Sequence, residues 1–285
     1  MYNPEIHIPV DKPVKFLLRS KDVLHDFAVA QFRVKMDLVP GMQTFLWLTP
    51  TKEGRFEILC EELCGVGHHT MRGAVIVDSS SDFEHWLAQQ TTYSAQVSKP
   101  AGNAAVGAAQ YGVCATCHGA QGEGNPLMNA PKLAGQPAWY LKRQVMNYKR
   151  GLRGSDPADN FGQQMIGMVA TLANEQAVDN VVAHIGTFPD SPVDATVEGD
   201  VAAGAKSYAV CAYCHGKDGM GVQALNAPRL QGMSDWYLAR QLAAFRDDVR
   251  GAHPQDYYGF QMGLMGQSAR DEQAVNDLIA YINTL

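Results

Sequence analysis

The residues of this 285-residue chain best equipped for chemistry are its six cysteines, which fall in three local pairs: Cys60 with Cys64, Cys114 with Cys117, and Cys211 with Cys214. A histidine follows each pair closely, as His68, His118 and His215. A small secreted disulfide scaffold would be shorter and would scatter its cysteines. Thiols paired locally with imidazole point instead to metal and haem chemistry.

Cys-x-x-Cys-His occurs twice, at Cys114–Cys117–His118 and Cys211–Cys214–His215. Two thiols one helical turn apart can both add to the vinyl groups of one haem, and the adjacent histidine then faces the iron. A thioredoxin-like dithiol would want a βαβ context, which is absent, and a zinc site would want a second Cys/His pair nearby. Each haem iron needs a further axial ligand, and methionine there raises the reduction potential.

The surroundings repeat as well. Residues 114–188 align with 211–285 at a constant offset of 97 residues without a gap, with 32 of 75 positions identical. Met128 falls opposite Leu225 and Met146 opposite Ala243, whereas Met165/Met262 and Met168/Met265 recur. The repeat thus narrows the axial ligand to these two pairs and leaves the choice between them open. Pro131 and Pro228 each follow their haem histidine by 13 residues and are placed to fix the loop beside it.

The third cluster is CEELCGVGHHTM, residues 60–71. Cys64, His68 and Met71 supply the thiolate, imidazole and weak thioether of a blue-copper loop, and His25 is well placed to add a histidine from an earlier strand. Cys60 is one thiolate more than a single copper requires. Two sulfurs on one loop can bridge two copper ions, spreading an unpaired electron over both and keeping the geometry nearly constant on reduction. Tetrahedral zinc on Cys60, Cys64, His68 and His25, or a disulfide, would leave the spacing of Met71 unexplained. His7, His69 and His85 have no such pattern and read as surface or packing histidines.

These residues need scaffolds. Residues 4–78 are short runs rich in Val, Ile, Phe and Thr separated by turn formers, among them an uninterrupted extended run over residues 23–34. That pattern predicts an all-β sandwich or Greek-key barrel closed by a short helix over 82–89. The repeated units read as helical, each with an opening helix into the Cys pair, a central WYL-x-RQ helix and a terminal helix. In the last, Val178, Val181, Val182 and Ile185 recur at the spacing of a packed face. Polar stretches at 91–103 and 189–200 read as linkers. The expected organisation is a β domain at 1–90 and helical domains at 104–188 and 201–285.

The helical units resemble c-type cytochromes, most closely the dihaem periplasmic c4 type, in CxxCHG, P-[KR]-L-x-G, WYL-x-RQ and a methionine seven residues before the final helix. Counted to Leu172 and Ala269, that offset favours Met165 and Met262. The same resemblance gives Pro131 and Pro228 a carbonyl hydrogen bond to the haem histidine. The β segment resembles subunit II of the haem–copper cytochrome c oxidases, in SKDVLHDF, FRVKMDLVPG and CEELCGVGHHTM. It implies a cupredoxin Greek-key barrel holding binuclear copper A. Cys60 and Cys64 would bridge two coppers, His25 and Met71 would complete one ion, and His68 with the Glu62 carbonyl would complete the other. Nitrous oxide reductase also has such a domain, but its loop usually carries Trp where Glu62 stands.

Together the resemblances imply a caa-type oxidase subunit II with two covalent haems c. Electrons would pass from cytochrome c or another donor through the haems to copper A, then to an oxygen-reducing subunit I; this chain would have no oxygen-reducing site. A free-standing periplasmic copper and dihaem carrier is the alternative. With 23 Lys+Arg against 29 Asp+Glu and no basic run, nucleic acid is not an expected partner. The sequence contains neither a signal peptide nor an apolar run of about 18 residues. Because the oxidase family carries two membrane helices ahead of this domain, the chain is expected to be a soluble fragment of a membrane-tethered protein. Its place would be the outer, periplasmic face of a bacterial inner membrane. The tryptophan that receives electrons in that family lies upstream, and Trp47 is a poor substitute.

Overall fold

A computed structural model describes residues 2–65, 67–90 and 102–285, in two compact units, Met1–Lys99 and Pro100–Leu285. In the first, strands β1 (Tyr2–Pro9), β3 (His25–Val29), β4 (Val34–Leu38), β6 (Gly54–Leu59) and β7 (Arg72–Asp78) form one sheet in the order β1-β7-β6-β3-β4. All neighbours are antiparallel except β1 and β7, which are parallel. Strands β2 (Val14–Leu18) and β5 (Thr44–Leu48) pair antiparallel in a second sheet.

Alternation along β2 buries Phe16 and Leu18, which meet Phe27, Val29, Ile58, Val75 and Val77 of the larger sheet in one core. Phe16 and Phe27 touch across it, ring centroids 5.2 Å apart. The result is an open, cupredoxin-like half-barrel. The single extended run expected over 23–34 is broken, because a 3-10 turn at Ala30–Phe32 and Arg33 at φ 56° fold it into the β3–β4 hairpin. The closing helix α1 spans Ser80–Ala88. It starts two residues earlier than expected, where Ser79 Oγ accepts from the Asp82 amide at 3.1 Å. Of the linker expected at 91–103, residues 91–101 lie outside the described residues.

The second unit is helical throughout. Its first repeat contains α2 (Ala104–His118), α3 (Ala138–Lys149), α4 (Asn160–Val169) and α5 (Glu175–Ile185); its second contains α6 (Val201–His215), α7 (Asp235–Arg246), α8 (Tyr257–Gly266) and α9 (Glu272–Ile282). Val178, Val181, Val182 and Ile185 are buried as the periodicity requires, on Tyr111, Leu141 and Leu172. First and last helices cross at near-zero clearance: a Cβ on Gly107 would lie 1.9 Å from the Asn180 carbonyl oxygen, and one on Gly204 equally close to that of Asp277. Any side chain there would push apart the helix that carries the Cys pair. The helices α4 and α8, which bear the candidate methionines, are additional to the three elements expected per repeat. Each begins at an aspartate cap, Asp159 accepting from Gly162 and Asp256 from Gly259. Glycine-rich segments conceal this helical character in the sequence.

Candidate metal and haem centres

In the β unit the loop after β6 returns through a 3-10 turn at His68–Thr70 to β7, and the backbone bond from Cys60 N–H to Met71 O at 3.2 Å closes it. The two sulfurs, Cys60 Sγ and Cys64 Sγ, lie 3.7 Å apart. A disulfide needs about 2.05 Å, whereas bridging thiolates need a separation that leaves room for metal between them. Around Cys64 stand Met71 Sδ at 3.1 Å and His68 Nδ1 at 3.4 Å, while the Glu62 carbonyl oxygen lies 3.4 Å from Cys60 Sγ. One donor atom each of His25, Cys60 and Cys64 falls within 4.8 Å of the others. All six sequence-designated groups therefore converge.

His25 supplies the test of fit. Its Nε2 donates to Asp22 Oδ1 at 2.8 Å, which fixes the tautomer, and its buried Nδ1 has no hydrogen-bond partner. A buried lone pair without a partner costs on the order of 1–3 kcal/mol unless something occupies it. A soft divalent or monovalent copper fits this donor set. Burial, followed by the neighbouring Cys60 thiol, pushes the Cys64 thiol up to about 11, so metal must displace a proton that the free thiol holds firmly. Asp22 sits below the ordinary carboxylate range even though burial opposes this, because hydrogen bonds from His25 and the Val23 backbone favour its charged form. Sequence reasoning missed Asp22; its place three residues before His25 was the available signal.

The helical unit builds its sites twice in the same way. Cys114 and Cys117 occupy the last turn of α2, and His118 is its final residue; Cys211, Cys214 and His215 end α6 identically. His118 Nδ1 donates to the Pro131 carbonyl at 2.8 Å, and His215 Nδ1 to that of Pro228 at 2.8 Å. Nε2 is then the ring's lone-pair nitrogen, as an axial iron ligand requires. Burial holds both imidazoles below their ordinary pKa, with the proline bond pulling the other way, which favours the neutral form. The donor set fits haem c in both copies.

One sequence argument needs correction. The final helices begin at Glu175 and Glu272, where Asn174 and Asp271 accept from Ala177 and Ala274 at 3.0 and 2.8 Å. Leu172 and Ala269 are buried loop residues before those caps. Seven residues counted back from the observed helices reach Met168 and Met265, so the helix start is not a ruler for the ligand. Burial separates the first pair instead: Met165 is half-buried, whereas Met168 is 38% exposed. In the second repeat Met262 and Met265 are both half-buried.

Between the repeats lies a polar network that the sequence did not disclose, arranged with approximate two-fold symmetry. Arg143 donates to the side chain and carbonyl of Asn226, and Arg240 to those of Asn129. Both asparagines are left-handed, at φ 54° and 57°, a conformation Asn tolerates. Buried Arg153 donates to Gln144, Tyr237 and Gln241; buried Arg250 donates to Gln241, Tyr140 and Gln144. Burial pushes the Tyr237 hydroxyl up, but the two guanidiniums outweigh it and hold the group below its usual range. The segment expected as a free linker is tied down too. Asp235 accepts from Thr196 N–H and Oγ–H and from Val197 N–H at 2.6 to 2.8 Å.

Comparison with known proteins follows the same division. The cytochrome c oxidase subunit II periplasmic-domain family matches residues 2–79, and the cytochrome c family matches residues 104–188 and 201–285. The alternative cytochrome c oxidase subunit 2 of Bradyrhizobium diazoefficiens is 55% identical over 92 residues, 32% of this chain and 33% of that protein. This chain thus spans about a third of that relative's length. Cytochrome c4 of Pseudomonas aeruginosa is 33% identical over 158 residues, 53% of this chain and 74% of that protein. The crystal structure of reduced recombinant cytochrome c4 from Pseudomonas stutzeri superposes with a TM-score of 0.50 at 28% identity, covering 65% of this chain and all of that one. Among the described residues no helix is long and apolar enough to cross a membrane.

Proposed function

Because the chain belongs to the cytochrome c family through its helical unit and carries a cytochrome c oxidase subunit II periplasmic domain ahead of it, we propose that it is the subunit through which electrons enter a respiratory oxidase. Cys114, Cys117, Cys211 and Cys214 would hold two haems c covalently, the entry point for electrons from a donor such as a soluble cytochrome c. His118 with Met165 and His215 with Met262 would ligate the irons. His25, Cys60, Glu62 (by its carbonyl), Cys64, His68 and Met71 would hold binuclear copper A, the next carrier on the route. The route would end at an oxygen-reducing partner subunit, with this chain on the periplasmic face of the inner membrane. Copper and haem iron supply one-electron redox chemistry when bound; the protein fixes ligands and excludes solvent.

The observation that carries this reading is the sulfur pair 3.7 Å apart beside a buried His25 Nδ1 with no partner. Covalent fusion makes transfer intramolecular, at an effective concentration set by the connecting segment. Flash reduction of the haems in metal-loaded protein, followed at the copper absorbance, tests the route. The expected rate of copper reduction is independent of protein concentration; a rate rising in proportion to concentration would contradict it.

A further inference from the structure

The two prolines that hold the haem histidines are each followed by a cation, Lys132 after Pro131 and Arg229 after Pro228. These are symmetry-related positions, and one anion serves both. Lys132 Nζ donates to Asp190 Oδ1 at 2.7 Å, and Arg229 Nη1 donates to Asp190 Oδ2 at 2.6 Å. Asp190 belongs to the segment joining the repeats, which occurs once in the chain and has no symmetry partner.

Both cations are also stitched across the repeat boundary. Lys132, its side chain 1% exposed, further donates to the carbonyls of Ser191 and Gly232, and its amide donates to Ser234 Oγ. Arg229 Nη1 further donates to the Gly135 carbonyl, and the Arg229 carbonyl accepts from Gln136. A buried ammonium without a counter-charge is strongly unfavourable, so Asp190 is what permits Lys132 to sit at this depth. A displacement of either cation is transmitted through one peptide bond to the carbonyl that orients His118 or His215.

We propose that Asp190 is a positioning residue shared by the two haem centres: one carboxylate locks the Pro131 and Pro228 carbonyls at once and sets both haem potentials together. The proposal rests on the reading that each helical domain holds a haem. Its electrostatic consequence has a definite sign. The ferric haem carries one positive charge more than the ferrous haem, so removing a nearby negative charge disfavours the ferric state and raises the potential. A loosened His–Pro bond acts in the same direction, because it makes the imidazole a weaker donor to iron.

The test is potentiometric titration of the full metal-loaded chain at low ionic strength, where screening of the partly exposed carboxylate is least. Asp190→Asn is expected to raise both potentials, changing the ferrous-to-ferric ratio at a fixed ambient potential by about threefold or more at each haem. Asp190→Glu, which keeps the charge, is expected to restore both towards the parent values. Arg229→Gln gives an independent check of opposite sign at the His118 haem, whose own tie through Lys132 it leaves in place: the carboxylate is then less neutralised, and that potential falls. Unchanged potentials in folded Asp190→Asn, or a shift confined to one haem, would overturn the proposal. A lowered unfolding temperature with both potentials unmoved would do the same, reducing Asp190 to a structural tie. Fewer than two covalent haems in the parent protein, counted by pyridine haemochrome, would instead overturn the two-haem reading and the proposal with it.

Discussion

The β unit and the helical unit solve the same problem, holding a redox metal, by different means. Five of the six groups proposed to hold copper lie on one twelve-residue loop, and only His25 comes from a distant strand. The loop therefore announces its chemistry in linear sequence, and the sheet has only to bring β3 beside it. The helical unit spreads each proposed haem site over three elements: a Cys pair and histidine at one helix end, a proline in a loop, a methionine on another helix. No single stretch identifies the whole site. Duplication compensates, because each copy checks the other, and residues present in only one copy stand out. Asp190 is such a residue.

The sharpest way to break this comparison is to remove the sulfur that distinguishes the copper loop from a mononuclear one. Cys60→Ser is expected to abolish the delocalised two-copper EPR signal while leaving both haem spectra intact. A mutant that kept that signal would sink the bridging assignment; lost haem spectra would show that the two units are not independent. Within the repeat, Met165→Ala is expected to remove about half of the thioether charge-transfer band at the red edge of the visible spectrum and to lower one haem potential. Met262→Ala should do the same to the other haem. Met168→Ala and Met265→Ala should leave both unchanged, and the reverse pattern would move the ligand three residues along the chain.

A smaller effect sharpens the role of the segment between the repeats. Asp235 is fully buried, and its carboxyl lies below its ordinary value. Burial opposes this but is outweighed by bonds from Val197, Thr196 and Asn283. A depressed carboxyl stabilises the fold above its unfolded pKa of 3.8 and loses that contribution as pH falls through the lower folded value. Asp235→Asn is therefore expected to cost the helical unit about 2–3 kcal/mol near neutrality, with the difference from the parent shrinking only below pH 3.8 in denaturant titrations. A difference constant down to pH 2 would show that charge contributes nothing there.

What was legible in the sequence follows from how locally each feature is encoded. The cysteines, His68 and Met71 of the loop and the Cys-x-x-Cys-His motifs were readable because fixed spacing on a loop or helix end determines them, whereas the roles of the Glu62 and proline carbonyls came with the family resemblance. The valine stripe of α5 was readable from its period. The β3–β4 hairpin was not, because Arg33 in a left-handed turn lacks the Gly or Asn that usually marks one. The start of the last helix was misplaced by three residues, because Leu172 and Ala269 are apolar and buried like the helix that follows. The arginine, glutamine and tyrosine contacts between repeats were invisible, since WYL-x-RQ recurs in both units but nothing in one copy says that its partner is the other copy.

The most direct test of the central claim is elemental analysis with pyridine haemochrome on the purified, metal-loaded chain. The account predicts two copper atoms, two iron atoms and two covalently bound haems per chain. One copper per chain, or zinc in its place, would contradict the binuclear site, and a single covalent haem would contradict the equivalence of the two repeats.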